Sequence, residues 1–379
     1  MRSHDVLVIG GGIIGSALAL RLADAKLSVT VLERGEPGRE ASWAAAGMLA
    51  PTGEAGEALD AGLGAASAVL YPQWLERLGG HTKLDVGYRT EGTLDVAFTE
   101  AEAETLKSLP GERLTAAEAR RLEPALPDRI VAAVFLPRDV QVDNRRLFAA
   151  LLEAARAAGV RFRTGTNVEE LVTEGGRATG VRTTASETIA AGIVVNAAGC
   201  WASQLGEHGR RLTPTRPVRG QMIALRGDAE KPLLRHVVRS PRGYILPRSD
   251  PAVGGAGDRL VCGSTSENAG YDKSLTSTGL RQILSAAIEL VPPAASLPFA
   301  DAWAGLRPDS PDHLPILGAT DIEGYFVATG HYRNGILLAP ITAQLVGDVI
   351  LGRKPSLSLE PFSPLRFVPS DRRPVPSNQ

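Results

Sequence analysis

The chain opens on an alternating run, Asp5 to Ile9, that closes in β-branched and leucine positions and meets Gly10-Gly11-Gly12 directly. Apolar residues at helical spacing follow from about Ile13 to Ala25, and a second β-branched run covers Ser28 to Leu32. Strand, glycine turn, helix, strand is the βαβ unit that begins a doubly wound sheet. The pattern then predicts a helix over Val69 to about Gly80, a strand over Thr93 to Phe98, and helices over Glu100 to Lys107 and Thr115 to Leu122. Thr115 and Glu118 stand at capping-box spacing. Leu147 to Ala158 is amphipathic and stops at Gly159, with Val160 to Arg163 a strand beyond it. Val168 to Thr173 and Ala178 to Thr184 flank Gly175-Gly176 and predict a hairpin. Ile193 to Asn196 is a short apolar strand running into Ala197-Ala198-Gly199, where small residues let the backbone approach a neighbour closely. From Pro217 to Gly263, strands separated by turns predict a mostly antiparallel sheet. A helix over Leu275 to Leu290 ends at Pro292-Pro293. Tyr325 to Thr329 reads as a strand, Gly330 to Gly335 as a loop and Ile336 to Leu351 as a helix. The Pro- and Ser-rich tail after Arg353 reads as loosely ordered.

So many elements in 379 residues exceed a comfortable single core and predict two compact units or one interleaved pair. Apolar residues make up 44% and charged residues 22%, which excludes a disordered chain. Lys plus Arg (41) nearly balance Asp plus Glu (42), so a net charge of −1 gives no global pull toward nucleic acid or membrane. Any anion selectivity falls to individually placed arginines. The two cysteines, Cys200 and Cys262, form no CxxC pair, and the six histidines are scattered, so neither a disulfide framework nor a metal site is expected. The glycines interrupt the apolar N-terminal run and no cleavage site follows, so a mature cytoplasmic N-terminus is expected. The run from Gly335 to Leu351 contains Pro340, Thr342, Gln344 and Asp348; it is too short and too polar to span a bilayer and reads as a buried helix.

The chemistry begins at Gly10-x-Gly12-x-x-Gly15, placed between strand and helix, with Glu33 closing the next strand. Glycines permit a tight turn and close approach of a pyrophosphate. The helix N-terminus favours its negative charge, and a carboxylate at Glu33 suits ribose hydroxyls. This arrangement predicts a dinucleotide but does not choose between FAD and NAD, which share an ADP half. A second signal is the small-residue run Ala41-Ser42-Trp43-Ala44-Ala45-Ala46-Gly47-Met48, which by composition alone reads as a tightly packed helix start.

Six stretches narrow the choice: GGGIIG, ER at Glu33-Arg34, ASWAAAGM, NAAGCW, WAGLRP and GHYRNGILLAP. Together, from one end of the chain to the other, they resemble the glycine oxidases of the D-amino-acid oxidase family. WAGLRP and GHYRNGILLAP are the most specific, since nucleotide binding does not require them. The resemblance implies an α/β fold: a Rossmann-like FAD-binding domain interleaved with an antiparallel-sheet substrate domain of α+β character. The FAD domain would comprise residues 1–84, 143–214 and 303–365, the substrate domain 85–142 and 215–302, with 366–379 a loose tail. Ile13, Ile14, Glu33, Arg34, Ala41, Ser42, Ala46, Gly47 and Met48 would contact FAD beside Gly10, Gly12 and Gly15. Val168 through its backbone, Ala198, Gly199 and the loop His331, Tyr332, Arg333, Asn334, Gly335, Ile336 and Leu337 would complete the site. A helix N-terminus near the flavin pyrimidine would stabilise the negative charge of reduced flavin.

The planar guanidinium of Arg307 suits bidentate capture of a carboxylate. The resemblance makes it a substrate ligand, with Tyr244 of GYILPR as a second partner and Arg333 nearby. Neither cysteine falls in the last two motifs, so FAD is expected to be held without a covalent link. The implied reaction is oxidation of an amino acid held with its α-carbon against flavin N5, hydride leaving directly and no side-chain acid or base assigned. Dioxygen would yield hydrogen peroxide, and the imine would hydrolyse to a 2-oxo acid and ammonia; glycine would give glyoxylate. The resemblance also links the glycine imine to the thiazole of thiamine and favours a homo-oligomer. A broader D-amino-acid or sarcosine oxidase, a quinone-linked dehydrogenase and a flavoprotein without catalysis are the other readings.

Overall fold

The computed structural model describes residues 4–52, 62–207, 210–211, 213–250 and 255–368. Two large sheets organise these residues, beside a two-stranded pair of Met48–Leu49 with Val140–Gln141. At the centre of the first, His4–Ile9 pairs in parallel with Val29–Leu32 on one side and Thr188–Asn196 on the other. Arg161–Arg163 extends it beyond Val29–Leu32, and Tyr325–Thr329 beyond Thr188–Asn196, again in parallel. The central strands His4–Ile9 and Val29–Leu32, buried on both faces, read as near-continuous apolar runs: Val6, Leu7 and Val8 are all fully buried. Val6 and Val8 pack with Leu18 and Leu22 of the helix Ile13–Asp24, and with Leu151 of Asn144–Ala157 and Leu338 of Gly335–Ile350. Leu7 and Ile9 face the other way, onto Leu171, Val181 and Val327. Alternation along one strand thus separates a helical layer from a β layer. The predicted hairpin forms that second layer, Val168–Glu174 against Arg177–Thr183.

The second sheet has eight strands and is mostly antiparallel, as expected between Pro217 and Gly263. One face carries Ile223, Ile245, Leu260 and Cys262 against Ile283, Ala287 and Leu290 of the helix Ser277–Leu290. The other carries Met222, Ala224, Leu246 and Val261 toward Ala44 and Ala46 of the small-residue run. That face looks across at the first sheet's glycine loop and makes a cleft between the sheets.

Several elements depart from the sequence pattern. Glu112–Thr115 and Ala132–Leu136 are strands that the pattern did not mark. Phe299–Asp309, which contains WAGLRP, is a strand paired along its length with Arg216–Arg226. Gly, Pro and Arg interrupt its apolar alternation, so only pairing reveals it. A boundary at residue 303 therefore falls inside a strand of the second sheet. The segment after Arg353 also differs from its expected looseness: Phe362 is buried and Arg366 bonds Asp312 at 2.8 Å. Residues 369–379 of the expected tail lie outside the described residues. No helix among the described residues is long and apolar enough to cross a membrane.

Candidate active site

One continuous cavity lies between the sheets. Gly10, Gly12, Ile13 and Ile14 form its floor at the start of the first helix, with Glu33 and Arg34 beyond the next strand. Ala41, Ser42, Ala46, Gly47 and Met48 form one wall, and Val168, Ala198 and Gly199 another. His331, Tyr332, Arg333, Gly335 and Ile336 close it from the loop and the helix start, while Tyr244 and Arg307 enter from the second sheet.

Three expected contacts stand behind this wall instead of in it. Gly15 packs against the glycine turn: a Cβ there would lie 2.1 Å from the Gly10 carbonyl oxygen. Its lack of a side chain serves the closeness of helix and strand. Asn334 caps the last turn of loop, its N–H donating to the His331 carbonyl and its own carbonyl accepting from Leu338. Leu337 is buried in the helical layer, its carbonyl accepting from the Ser67 hydroxyl at 2.5 Å.

The glycine loop suits a dinucleotide. Gly10 has φ +101°, and a Cβ there would stand 2.5 Å from the Ala197 carbonyl oxygen, so only glycine fits. Glu33 accepts hydrogen bonds from the Gly11 N–H at 2.8 Å and the Gly35 N–H at 2.9 Å, which hold its carboxylate at the cavity. The Ser42 hydroxyl accepts from the Ile13 N–H at 3.0 Å and ties the small-residue run to the first helical turn. Arg34 lies 3.6 Å over the Trp201 ring and bonds Glu40 at 2.8 Å.

The small-residue run is held from behind. Asn144 donates to the carbonyls of Ser42 and Trp43, and Trp303 Nε1 donates to that of Ala44 at 3.0 Å. The buried Arg248 donates to the Ala46 carbonyl. In a planar trans peptide that leaves the Gly47 N–H directed away from Arg248. Gly47 has φ +76°, and a Cβ there would lie 2.1 Å from the Val142 carbonyl oxygen. Desolvation lowers the Arg248 pKa to about 10, still far above neutrality, so a cation sits behind this wall.

At the far end, Arg307 Nη2 donates to Ser264 Oγ at 2.8 Å, and Nη1 donates to the Thr265 carbonyl at 3.0 Å. The Tyr244 hydroxyl donates to Met222 Sδ at 3.1 Å. A thioether is a weak acceptor, so an entering carboxylate would take that hydrogen bond readily. His331 is buried, its Nε2 2.9 Å from Thr342 Oγ1, and burial lowers its pKa to about 3. It is therefore a neutral anchor of the loop. Tyr332 next to it has φ +47°, an uncommon conformation for a non-glycine residue, held by its N–H donating to the Pro308 carbonyl at 2.8 Å.

Residues 5–349 match the DAO family, described as FAD dependent oxidoreductase. The chain belongs to this family. It is an FAD-dependent oxidoreductase, with FAD as its cofactor. The glycine oxidase of Geobacillus kaustophilus is 35% identical over 378 residues, 96% of this chain and 97% of that one. The crystal structure of glycine oxidase from Geobacillus kaustophilus matches with a TM-score of 0.89 at 35% identity, over 97% of this chain and 100% of the other. The bifunctional protein ThiO/ThiG of Synechocystis sp. is 39% identical over 381 residues, 98% of this chain, which spans 55% of that relative's length.

Within the DAO family fold, Met222, Ser264 and Trp201 are among the cavity-lining residues that sequence reasoning missed. Met222 and Ser264 carry no motif; strand pairing of Met222 and Tyr244 with Gly263 brings them together. Trp201 was within reach, since it ends the NAAGCW stretch beside Gly199.

Proposed function

We propose that the chain oxidises glycine, or another small amino acid or amine, at its α-carbon. One observation carries this reading: Arg307, Tyr244 and Arg333 line the same cavity as the dinucleotide loop at Gly10 and Gly12. The 35% identity to a glycine oxidase over nearly the whole of both chains supports glycine as the substrate.

Gly10, Gly12, Glu33 and the run from Ala41 to Met48 would hold FAD, with Ile13, Ile14, Arg34, Val168, Ala198, Gly199, Tyr332 and Gly335 around it. When bound, FAD accepts two electrons from the substrate and passes them to dioxygen, giving hydrogen peroxide. Arg307 binds the substrate carboxylate through two parallel N–H donors, and Tyr244 exchanges its thioether partner for a carboxylate oxygen. Arg333 adds a second cation at the same wall. Held by one end, the substrate keeps its α-carbon in a fixed place, and orientation supplies much of the rate. The amine enters neutral, so the electrons of its lone pair form the C=N bond as the α C–H bond breaks. His331 is neutral and engaged with Thr342, and no proton transfer passes through it. Released imine takes up water to give the 2-oxo acid and ammonia, which from glycine is glyoxylate.

The identity to ThiO/ThiG supports a role in supplying the imine for the thiazole of thiamine. The reading extends to a homo-oligomer, supported by the family resemblance of the motifs. Peroxide formation measured beside anaerobic dye reduction, on glycine, sarcosine, D-alanine and D-proline, tests substrate and acceptor together. Glycine is expected to give the highest kcat/KM, with peroxide and glyoxylate formed one for one. Dye reduction without peroxide would overturn the oxidase reading, and a preference for D-proline the substrate.

A further inference from the structure

The second sheet does more than present Arg307 to the cavity; it fixes the plane of its guanidinium. In the pairing of Phe299–Asp309 with Arg216–Arg226, Gly220 lies opposite Gly305, two residues from Arg307. The Arg307 side chain folds along the strand until its head covers Gly220. A Cβ at position 220 would stand 2.5 Å from both Nη1 and Nη2 and 2.6 Å from Cζ, well inside contact distance. Only a residue without a side chain leaves room for the head group there.

Around that gap the acceptors are placed for one orientation. Nη1 faces the carbonyls of Thr265 at 3.0 Å and Arg219 at 3.4 Å, and Nη2 donates to Ser264 Oγ at 2.8 Å. The two carbonyls belong to the backbone and stay with any side chain. Ser264 Oγ is the one acceptor of the three supplied by a side chain, and Ser264 also lines the cavity. A planar fork held on both nitrogens cannot rotate freely to meet a ligand, so its ordering cost is met before binding.

We propose that Ser264, with Gly220 as its steric counterpart, is a positioning residue that presets the Arg307 fork for a small carboxylate. This rests on the reading of Arg307 as the carboxylate clamp. The glycine at 220 opens the space, and the hydroxyl at 264 selects how the guanidinium fills it. The consequence is affinity for the carboxylate end of the substrate, with little effect on the later oxidation step.

The test uses the FAD-loaded protein, titrated with acetate while flavin absorbance is followed, and steady-state kinetics with glycine. Ser264→Ala is expected to raise the acetate Kd and the glycine KM about tenfold, the loss of one hydrogen bond to a charged group. kcat should stay within about twofold, as for lost uniform binding. Ser264→Thr, which keeps the hydroxyl, should restore acetate affinity, and Gly220→Ala should weaken it at least as much as Ser264→Ala. The FAD content of each variant should match the parent protein. If Arg307→Met abolishes acetate binding while Ser264→Ala and Gly220→Ala leave Kd and KM unchanged, the positioning role is wrong and the clamp stands. If Arg307→Met itself binds acetate as the parent does, the clamp reading falls and this one with it. Loss of FAD and kcat in Ser264→Ala, without a change in acetate affinity, would also overturn the positioning role.

Discussion

His331 shows how a residue marked in sequence as a cofactor contact acquires a second meaning from its surroundings. Its imidazole is buried against Thr342, and desolvation lowers its pKa from the usual 6.5 to about 3. In the unfolded chain it titrates near 6.5, so acid protonates the unfolded state first. Its contribution to stability is therefore complete above about pH 6.5 and is lost as pH falls toward 3. Melting temperatures at pH 7.5 and pH 5 should show a fall in the parent protein and a smaller fall in His331→Gln; an equal fall in both would contradict this. Arg307 is the opposite case. WAGLRP pointed to it by resemblance, and the cavity brings it to Tyr244. Ser264 was illegible because nothing in VCGSTS distinguishes a hydroxyl that holds an arginine from one in an ordinary turn.

The helix Asn144–Ala157 carries the site at the scale of an element. Its amphipathic stripe was visible from Leu147, yet the helix begins earlier, because Asp143 caps it by accepting from the N–H groups of Arg145 and Arg146 at 3.0 Å. Polar residues in a first turn carry no apolar period, so the start escapes pattern reading. Asp143→Ala should cost about 1 kcal/mol of unfolding free energy in urea, the usual loss of an N-cap. Asn144, the next residue, holds the carbonyls of Ser42 and Trp43, so the helix start also fixes the small-residue run. Asn144→Ala should raise the FAD Kd about tenfold or more, read by fluorescence recovery on dilution, since two hydrogen bonds to the run are lost. An unchanged Kd would show that the run keeps its shape without them. The capping box at Thr115 and Glu118 was legible and forms as read, because it is a local device.

For the whole molecule, the centre of the parallel core was legible because His4–Ile9, Val29–Leu32 and Tyr325–Thr329 are apolar runs beside a glycine turn or a helix. The edge strand Arg161–Arg163 is basic, with both arginines exposed, and lies outside that rule. The second sheet was legible in kind but not in order. Its strands come from distant parts of the chain, Thr93–Ala97 pairing beside Val237–Ser240, and no local pattern states such pairings. The cleft between the sheets holds every part of the proposed chemistry. Burial raises the Cys200 thiol, at the cavity wall, to about 12, which keeps it protonated and a poor nucleophile. Acid precipitation should therefore release the flavin to the supernatant; yellow colour retained in the pellet would contradict a non-covalent cofactor. On the proposed reading, the cleft delivers a carboxylate-clamped amino acid to FAD. Anaerobic mixing of glycine with the FAD-loaded protein and its Arg307→Ala variant, followed at the flavin absorbance band, is the decisive experiment. Glycine should bleach the parent flavin, and the variant should need about a hundredfold more glycine for the same bleaching, the loss of a bidentate charge-assisted contact. Flavin that stays oxidised in the parent at saturating glycine, or a variant that bleaches at the same glycine concentration, would contradict that reading.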